Sequence, residues 1–205
     1  MIKVGIIGGS GFVGSNIAKS LIDRGFDVTV YDIKEPKLRN VSYININITE
    51  DNLDVIEDND IIIHTAIIQL PTINIKPDLG YKVNIIGTQR VLEKVATSST
   101  IKGFILTSSW HVYGEFLKGR ISEEYGFHPA MVSDRAKLYT YSKICQEAIT
   151  QHFIRMYPQK KFLILRLGTI LGEDMPEKTA ASIFITNALN GKPITPYRES
   201  MYRPM

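Results

Sequence analysis

Tyr139 and Lys143 are the pair of residues whose types and spacing best suit proton transfer. Residues four positions apart lie on one face of a helix, so the two side chains would be neighbours if this segment is helical. A lysine ammonium beside a phenol stabilises the phenolate and is expected to lower the phenol pKa from about 10. Such a phenol could move a proton on and off a substrate hydroxyl near neutral pH.

Ser109 is the third residue suited to this chemistry, because it ends an apolar run over Phe104–Ser109. Its hydroxyl could hold the same substrate oxygen with a second hydrogen bond, as an oxyanion donor does. A nicotinamide would take or return the hydride, while the protein positions the substrate and moves the proton. Taken alone, the Tyr–Lys spacing is a weak signal, because a surface tyrosine beside a solvated lysine has it too. A catalytic role for these residues therefore depends on the strands and helices that hold them.

The first 32 residues have the order strand, glycine-rich turn, helix, strand and acid. The apolar run Met1–Ile7 precedes Gly8–Gly14, and a second apolar run over Val28–Tyr31 leads to Asp32. Backbone N–H groups at a helix N-terminus attract phosphate, and glycine lets the phosphate approach closely. An acid at the end of the second strand can accept hydrogen bonds from an adenosine ribose. Asp32 follows Gly14 by 18 residues, close to the expected spacing of about 20, so the pattern predicts a dinucleotide site.

The glycines of this turn fit two spacings. Gly9, Gly11 and Gly14 fit GxGxxG, whereas Gly8, Gly11 and Gly14 fit GxxGxxG. Because the apolar run reaches residue 7, the first glycine of the turn is Gly8. This register favours GxxGxxG.

Length and composition limit the class of protein and the partners to be expected. The 205 residues, 44% of them hydrophobic and 22% charged, predict one core with a small appendage. A net charge of +3 is too small to indicate nucleic acid or a membrane surface as a partner. The single cysteine, Cys145, suits a reducing compartment, and no apolar stretch is long enough to cross a bilayer, so we expect a cytoplasmic protein. No two histidines or acids have metal-ligand spacing, so we expect no metal.

Alternating apolar runs and helical patterns predict an α/β fold with a doubly wound parallel sheet of the Rossmann type. The predicted strands cover Met1–Ile7, Val28–Tyr31, Val41–Ile48, Asp60–Ile68, Phe104–Ser109 and Lys161–Leu167, with a possible strand over Pro193–Tyr197. The main predicted helices cover Ser15–Arg24, Asp78–Thr97, Tyr139–Met156 and Ala180–Asn190, and we expect loops over Pro71–Pro77 and Gly114–Arg135. Ligands of such sheets bind beyond the carboxyl ends of the strands, where Gly8, Asp32, Thr65 and Ser109 are predicted to lie.

With these motifs in order, the sequence resembles the extended short-chain dehydrogenase/reductase family, and in particular its nucleotide-sugar epimerase/dehydratase branch. The matching segments cover nearly the whole chain. They are Gly8-x-x-Gly11-x-x-Gly14, Asp32, Asn47-Ile48-Thr49, His64-Thr65-Ala66, Asn84-Ile85-Ile86-Gly87-Thr88, Ser108-Ser109-Trp110-His111-Val112-Tyr113-Gly114, Tyr139-x-x-x-Lys143 and Leu165-Arg166-Leu167-Gly168.

The resemblance implies roles for individual residues. Tyr139 would be the catalytic acid/base, Lys143 would tune it and bind the nicotinamide ribose, and Ser109 would take the family's catalytic Ser/Thr place. Asn84 would support the active-site network, and Asp32 would select NAD over NADP. The implied NAD contacts are Gly8, Gly11, Phe12, Val13, Gly14, Asp32, Ile33, Asn47, Ile48, Thr65, Ala66, Asn84, Thr107, Tyr139 and Lys143.

Some positions depart from the family pattern. Asn47 replaces the usual aspartate near the adenine, but its side-chain oxygen could still accept from the exocyclic amine. Trp110-His111 stands where the sugar 4,6-dehydratases carry an Asp-Glu pair, so we do not expect dehydratase activity. His111 could titrate near the site, although we expect it to line the pocket or its rim. His64 is expected to pack and hydrogen-bond rather than to catalyse.

The sequence predicts a domain arrangement and leaves three functions open. We expect residues 1–170 to form an NAD-binding Rossmann domain and residues 171–205 to begin an incomplete substrate-binding domain, with a nucleotide-diphosphate sugar as substrate and a homodimer as assembly. The leading hypothesis is an NAD-dependent nucleotide-sugar epimerase that acts through a keto sugar. The alternatives are an NAD(P)-dependent reductase or dehydrogenase of another alcohol, and a dinucleotide-binding module without catalysis.

Overall fold

A parallel sheet organises the chain. The computed structural model describes residues 1–115, 119–172, 174–177 and 179–195. Within these ranges, six strands pair in the order β3-β2-β1-β4-β5-β6, every neighbouring pair parallel. Their bounds are β1 Lys3–Ile7, β2 Asp27–Asp32, β3 Ser42–Asn45, β4 Ile61–His64, β5 Gly103–Ser109 and β6 Lys161–Leu167. The strand order reverses between β1 and β4, which confirms the predicted doubly wound α/β fold.

Helices connect the strands. They are α1 Phe12–Ile22, α2 Thr72–Ile75, α3 Pro77–Tyr81, α4 Thr88–Thr97, α5 Lys137–Met156 and α6 Ala180–Leu189, with a π-helical segment over Lys82–Gly87. Single 3-10 turns cover Asp54–Asp58, Trp110–Tyr113, Glu123–Tyr125, Pro129–Met131 and Asp134–Ala136.

The two faces of the sheet bury different sets of side chains, because successive residues of a strand point to opposite faces. On one face, Ile62, Phe104 and Leu106 belong to a buried cluster with Val91 and Leu92 of α4. The other face carries a second buried cluster, made of Val4, Ile6, Ala18, Val28, Val30 and Ile63. This covering of both faces explains why the central strand β4 is a continuous apolar run rather than an alternating one.

Two strands end several residues earlier than predicted. The run over Asp60–Ile68 is strand only to His64, because the chain then passes close to Gly8 and both backbone groups of Ile68 bond to a side chain instead of a strand. The predicted strand Val41–Ile48 is limited to Ser42–Asn45, since the chain turns beyond it.

Other predicted boundaries change as well. The predicted loop Pro71–Pro77 contains α2, and the predicted helix Asp78–Thr97 begins at Pro77 and includes the π-helical segment. The loop over Gly114–Arg135 holds three of the 3-10 turns in whole or in part. Of the possible strand at Pro193–Tyr197, residues 193–195 are not strand and the remainder lies outside the described residues.

The chain divides into two compact units, residues 1–167 and residues 168–205. The first unit contains the sheet and helices α1 to α5. The second contains α6, whose N-terminus is capped by the hydroxyl of Thr179 accepting from the N–H of Ser182 at 3.2 Å. Among the described residues, none of the helices is both long and apolar enough to cross a membrane.

Gly8 and Gly25 provide a matched test of what the glycine turn requires. Both have left-handed backbones, with φ of +80° and +81°. A Cβ on Gly8 would lie 2.4 Å from the backbone nitrogen of Ala66, whereas a Cβ on Gly25 would meet no atom within 4 Å. We expect Gly25→Ala to cost about 1 kcal/mol from backbone strain alone. Gly8→Ala should cost about 1–3 kcal/mol more, because the overlap adds to the same strain.

The free energy of unfolding of both variants, measured by urea denaturation, tests this expectation. Equal costs for the two substitutions would show that the contact between Gly8 and Ala66 is not tight.

Candidate active site

The glycine turn joins the end of β1 to the start of α1. The N–H of Gly8 donates to the carbonyl of Tyr31 at 2.8 Å, and a Cβ on Gly14 would lie 2.5 Å from the carbonyl oxygen of Gly8. Around Gly11 the turn is open, because a Cβ there would meet only the oxygen of Gly8, at 3.3 Å. Gly11 is also the N-cap of α1, and no side chain caps that helix. The turn thus leaves space at a helix N-terminus for a phosphate, as a dinucleotide requires.

Asp32, at the end of β2, is hydrogen-bonded to the glycine turn through its carboxylate. Its two carboxylate oxygens accept from the N–H groups of Ser10 and Lys34, each at 3.0 Å. The hydroxyl of Ser10 donates in turn to the carbonyl of Lys34 at 2.6 Å. Beside this carboxylate, the side chain of Ile33 is 60% exposed. The predicted ribose acceptor is therefore held in place against the glycine turn.

Asn47 stabilises a turn after β3. Its Oδ1 atom accepts from the N–H and the hydroxyl of Thr49, at 3.1 and 2.8 Å. A carbonyl oxygen has two lone pairs, so both are used within the turn. The next residue, Ile48, is buried, and its Cδ1 would lie 2.7 Å from a Cβ on Gly87. Contact of Asn47 with an adenine amine, expected from the sequence, stays a prediction.

The end of β4 meets the glycine turn. The hydroxyl of Thr65 is 2.9 Å from the carbonyl oxygens of both Ile7 and Gly8. Ala66 occupies the space that a side chain on Gly8 would need. These contacts bring the ends of β1 and β4 together where the strand order reverses, the usual place for a ligand in such a sheet.

Tyr139, Lys143 and Ser109 come together beyond the end of β5. The ammonium of Lys143, on α5, is buried and donates to the carbonyl of Thr107 at 2.7 Å. The hydroxyl of Tyr139, one helical turn earlier, is hydrogen-bonded to Ser109. Tyr139 and Lys143, on one face of α5, thus contact Ser109 and Thr107 at the end of β5.

The direction of the Tyr139 pKa differs from the one expected from the sequence. Burial raises this pKa above its ordinary value, and the hydrogen bond with Ser109 only partly opposes the effect. Burial also lowers the pKa of Lys143 to about 7, against the opposing charge of Glu147. The expected lowering of the phenol pKa by the lysine is therefore wrong for this structure. Near neutral pH the amine of Lys143 is protonated in only part of the molecules, and it bonds to the carbonyl of Thr107 rather than to the phenol.

Asn84 lies inside the π-helical segment and is fully buried. Its side chain accepts from the N–H of Ile68 at 2.7 Å and donates to the carbonyl of Ile68 at 2.9 Å. It also donates to the hydroxyl of Ser142 on α5 at 3.0 Å. Asn84 thereby connects the segment after β4 to the helix that carries Tyr139. Short π-helical segments frequently occur at functional sites, but the sequence pattern did not predict this one.

His64 has structural contacts, in line with the expectation from sequence. Its Nε2 atom lies 2.9 Å from the hydroxyl of Thr88, which already donates to Asn84 and accepts from Gln146. The hydroxyl proton is thus committed, so we infer that Nε2 carries a proton and donates. Burial first, and then the charge of Lys143, lower the pKa of His64 to about 3. The imidazole is therefore neutral at physiological pH.

Sequence reasoning missed a buried ion pair beside the site. Glu147, one turn after Lys143 on α5, is fully buried and bonds to Arg166 of β6 at 2.8 Å. Ser108 donates to the same carboxylate, and the Arg166 guanidinium lies 4.8 Å from the ring centre of Tyr113. The pair connects α5, β5 and β6 behind the site. No local spacing links a helix acid to a strand arginine, so only the fold could reveal it.

The fold and this site define a Rossmann-type dinucleotide-binding protein with a Tyr–Lys–Ser constellation. The chain belongs to the NAD dependent epimerase/dehydratase family, whose sequence profile matches residues 4–203. This confirms the family expected from the sequence motifs, whose members are NAD-dependent enzymes.

Named relatives span both epimerases and dehydrogenases. The chain is 29% identical to D-erythronate dehydrogenase of Haemophilus influenzae, covering 92% of this chain and 61% of that protein. It is 28% identical to a putative UDP-glucose 4-epimerase of Methanocaldococcus jannaschii, covering 92% and 64%. Among solved structures, MoeE5 in complex with UDP-glucose and NAD superposes with a TM-score of 0.80 at 22% identity, covering 94% and 62%. The chain thus spans less than two thirds of the length of each of these proteins.

The buried ammonium predicts how stability depends on pH. The pKa of Lys143 is about 7 when folded and 10.5 ordinarily, so the unfolded chain binds the additional proton between these values. Stability from this group therefore rises with pH from about 7 upward, by up to about 1.4 kcal/mol per unit. Lys143→Met removes the effect. Urea unfolding of both proteins between about pH 7 and 9.5 should show the wild type gaining stability relative to the variant. A constant difference would mean that Lys143 remains charged when folded.

Proposed function

We propose that this chain binds NAD and oxidises and re-reduces a secondary hydroxyl of a nucleotide-linked sugar, as a sugar-nucleotide epimerase does. The observation that carries the proposal is the meeting of Tyr139 and Lys143 with the Ser109 end of β5. A pure binding module would have no need for a buried lysine one turn from a partly buried phenol. Such a pair is what proton transfer to a substrate hydroxyl requires.

The cofactor would lie across the carboxyl ends of β1 and β2. We propose that the pyrophosphate rests on the open side of Gly11, at the first N–H groups of α1. The Asp32 carboxylate would accept from the adenosine ribose and disfavour a 2′-phosphate by charge. Apolar contact would come from Ile33, whose side chain is exposed beside Asp32. Thr65, Ala66 and Thr107 would line the middle of the same groove.

Proton movement belongs to Tyr139. NAD, when bound, supplies the hydride acceptor and donor. We propose that the Tyr139 phenolate takes the proton of the substrate hydroxyl and later returns it to the keto oxygen. Ser109 would donate to the same oxygen and orient it. With NAD bound, Lys143 would keep its bond to Thr107 and donate a second hydrogen bond to the nicotinamide ribose, and its charge would also support the phenolate.

The substrate class follows from the relatives rather than from a pocket in this chain. The Methanocaldococcus relative is named for UDP-glucose, and the MoeE5 structure contains that sugar nucleotide. We therefore propose a nucleotide-diphosphate sugar. Return of hydride to the opposite face of the keto sugar would invert one carbon and leave no net NADH.

A second candidate function is net dehydrogenation of a sugar acid or other alcohol. The observation that favours it is the similarity to D-erythronate dehydrogenase, which is as close as the similarity to the epimerase. The same three site residues would serve both reactions. NADH that accumulates with turnover would identify the dehydrogenase, whereas isomerised sugar without NADH would identify the epimerase.

We propose further that residues 1–170 form the NAD-binding domain and that residues 171–205 begin a substrate-binding domain. For the assembly we propose a homodimer through the helices over Asp78–Thr97 and Tyr139–Met156. Its support is the apolar surface these segments expose, with Ile86 50%, Tyr141 45% and Ile154 37% exposed. The single cysteine of the chain supports a cytoplasmic location.

Tyr139→Phe tests the proton-transfer role. Loss of the hydroxyl should lower kcat by about 10²-fold or more, because the acid/base is removed. The Kd for NAD, measured by calorimetry, should change by less than about twofold. The control is Tyr141→Phe, which removes the hydroxyl of a 45% exposed tyrosine on the same helix and should leave both values unchanged. An equal loss of NAD affinity in Tyr139→Phe would assign this tyrosine to cofactor binding.

Asp32→Ser tests the choice of cofactor. Removing the carboxylate should weaken NAD binding by about tenfold and reduce the preference for NAD over NADP, because a ribose acceptor and a repelling charge are lost together. Asp27→Ser, at the other end of the same strand, is the matched control and should bind NAD as the wild type does. The dissociation constants of NAD and NADP for all three proteins measure the effect. An unchanged NADP/NAD ratio would mean that Asp32 serves only to hold the glycine turn.

A further inference from the structure

His111 occupies a position in the site that the proposed reaction does not yet use. It follows β5 in the 3-10 turn Trp110–Tyr113, and its side chain is 22% exposed. Its ring packs against the ring of Trp110, with centres 4.2 Å apart, and meets the ring of Tyr139 edge-on, with centres 5.6 Å apart. Two aromatic contacts therefore fix the imidazole plane beside the phenol.

The hydrogen bonds of Ser109 connect His111 to Tyr139. The Ser109 hydroxyl lies 3.0 Å from the Nδ1 atom of His111 and is bonded to the hydroxyl of Tyr139. It also accepts from the backbone N–H of His111 at 3.3 Å. A hydroxyl that accepts from a phenol still has its own proton to donate, and Nδ1 is the acceptor within reach.

Glu115 lies on the far side of the imidazole. Its Oε1 atom is 3.8 Å from the Nε2 atom of His111, longer than a hydrogen bond but close enough to stabilise a charged imidazolium. The other carboxylate oxygen accepts from the N–H of Ser133 at 2.8 Å, which fixes the side chain. The order of groups is therefore phenol, hydroxyl, imidazole and carboxylate.

From this geometry we propose that Ser109 and His111 form a proton relay that carries the proton of Tyr139 outward, with Glu115 stabilising the imidazolium. The Tyr139 O–H passes its proton to Ser109 Oγ, and Ser109 passes its own proton to His111 Nδ1. His111 then releases its Nε2 proton to solvent, which restores a neutral imidazole and leaves a phenolate. His111 acts through Ser109 and is thus a positioning residue, not a catalytic one.

If the proposed function is correct, two features explain why the site would need a relay. Burial raises the pKa of Tyr139, and Lys143 bonds to Thr107, so the phenol needs another route to lose its proton. Net dehydrogenation also releases one proton for each substrate oxidised, whereas epimerisation returns it. A built outlet therefore suits the dehydrogenase candidate better than a closed epimerase cycle.

The tautomer of His111 tests the relay without any substrate. We would record ¹⁵N spectra of the histidine-labelled chain at about pH 8.5, where an ordinary histidine is neutral, and assign His111 by its absence in His111→Phe. The relay requires the proton on Nε2 and a bare Nδ1. A proton on Nδ1 would overturn it, since Ser109 could then pass nothing to the ring.

Turnover gives the second readout, with NAD and either D-erythronate or UDP-glucose as probes. His111→Phe keeps an aromatic ring without nitrogen and should lower kcat by about tenfold or more, while the Kd for NAD stays within about twofold. Imidazole in the buffer should restore activity to His111→Ala. His128→Phe, in the loop that follows, is the matched control and should act as the wild type.

A wild-type kcat in His111→Phe, or an absence of imidazole rescue where kcat has fallen, would overturn the relay. If the wild type turns over neither probe, the proposed function is contradicted. The tautomer of His111 still shows whether the relay can operate.

Discussion

The site depends first on the hydrogen bond from the Lys143 ammonium to the carbonyl of Thr107, because it joins the helix and the strand that carry the site residues. Burying an ammonium is costly, and this bond is what compensates the group where it is buried. It fixes helix α5 to strand β5, so that Tyr139, one turn earlier on the helix, reaches Ser109, two residues later on the strand. The same burial lowers the pKa of Lys143 to about 7, so the group carries a proton only part of the time near neutral pH.

The link continues from Thr107 to the glycine turn. The hydroxyl of Thr107 donates to the carbonyl of His64 at 3.0 Å, and the hydroxyl of Thr65, the next residue, lies 2.9 Å from the carbonyl oxygen of Gly8. Adjacent strands thus connect the group that would move a proton to the turn that would hold a pyrophosphate. Because all the strands are parallel, both ends of the proposed dinucleotide site lie on one edge of the sheet.

Sequence patterns predicted what depends on local periodicity, and missed what depends on contacts across the fold. The glycine turn, Asp32 and the succession of six strands along the chain follow from apolar runs and turn residues. The end of β4 at His64 does not, because a side chain from Asn84 holds the continuing apolar segment. The ion pair of Glu147 with Arg166, and the raised pKa of Tyr139, depend on burial by distant elements, which spacing along the chain cannot express.

A crystal structure of this chain grown with NAD would show whether the glycine turn and Tyr139 serve one bound cofactor. We expect the pyrophosphate on the open side of Gly11 and the nicotinamide ribose within hydrogen-bond distance of Lys143, with the Tyr139 hydroxyl facing the nicotinamide. A dinucleotide bound away from the glycine turn, or a Tyr139 hydroxyl turned to bulk solvent beside a correctly seated cofactor, would contradict it.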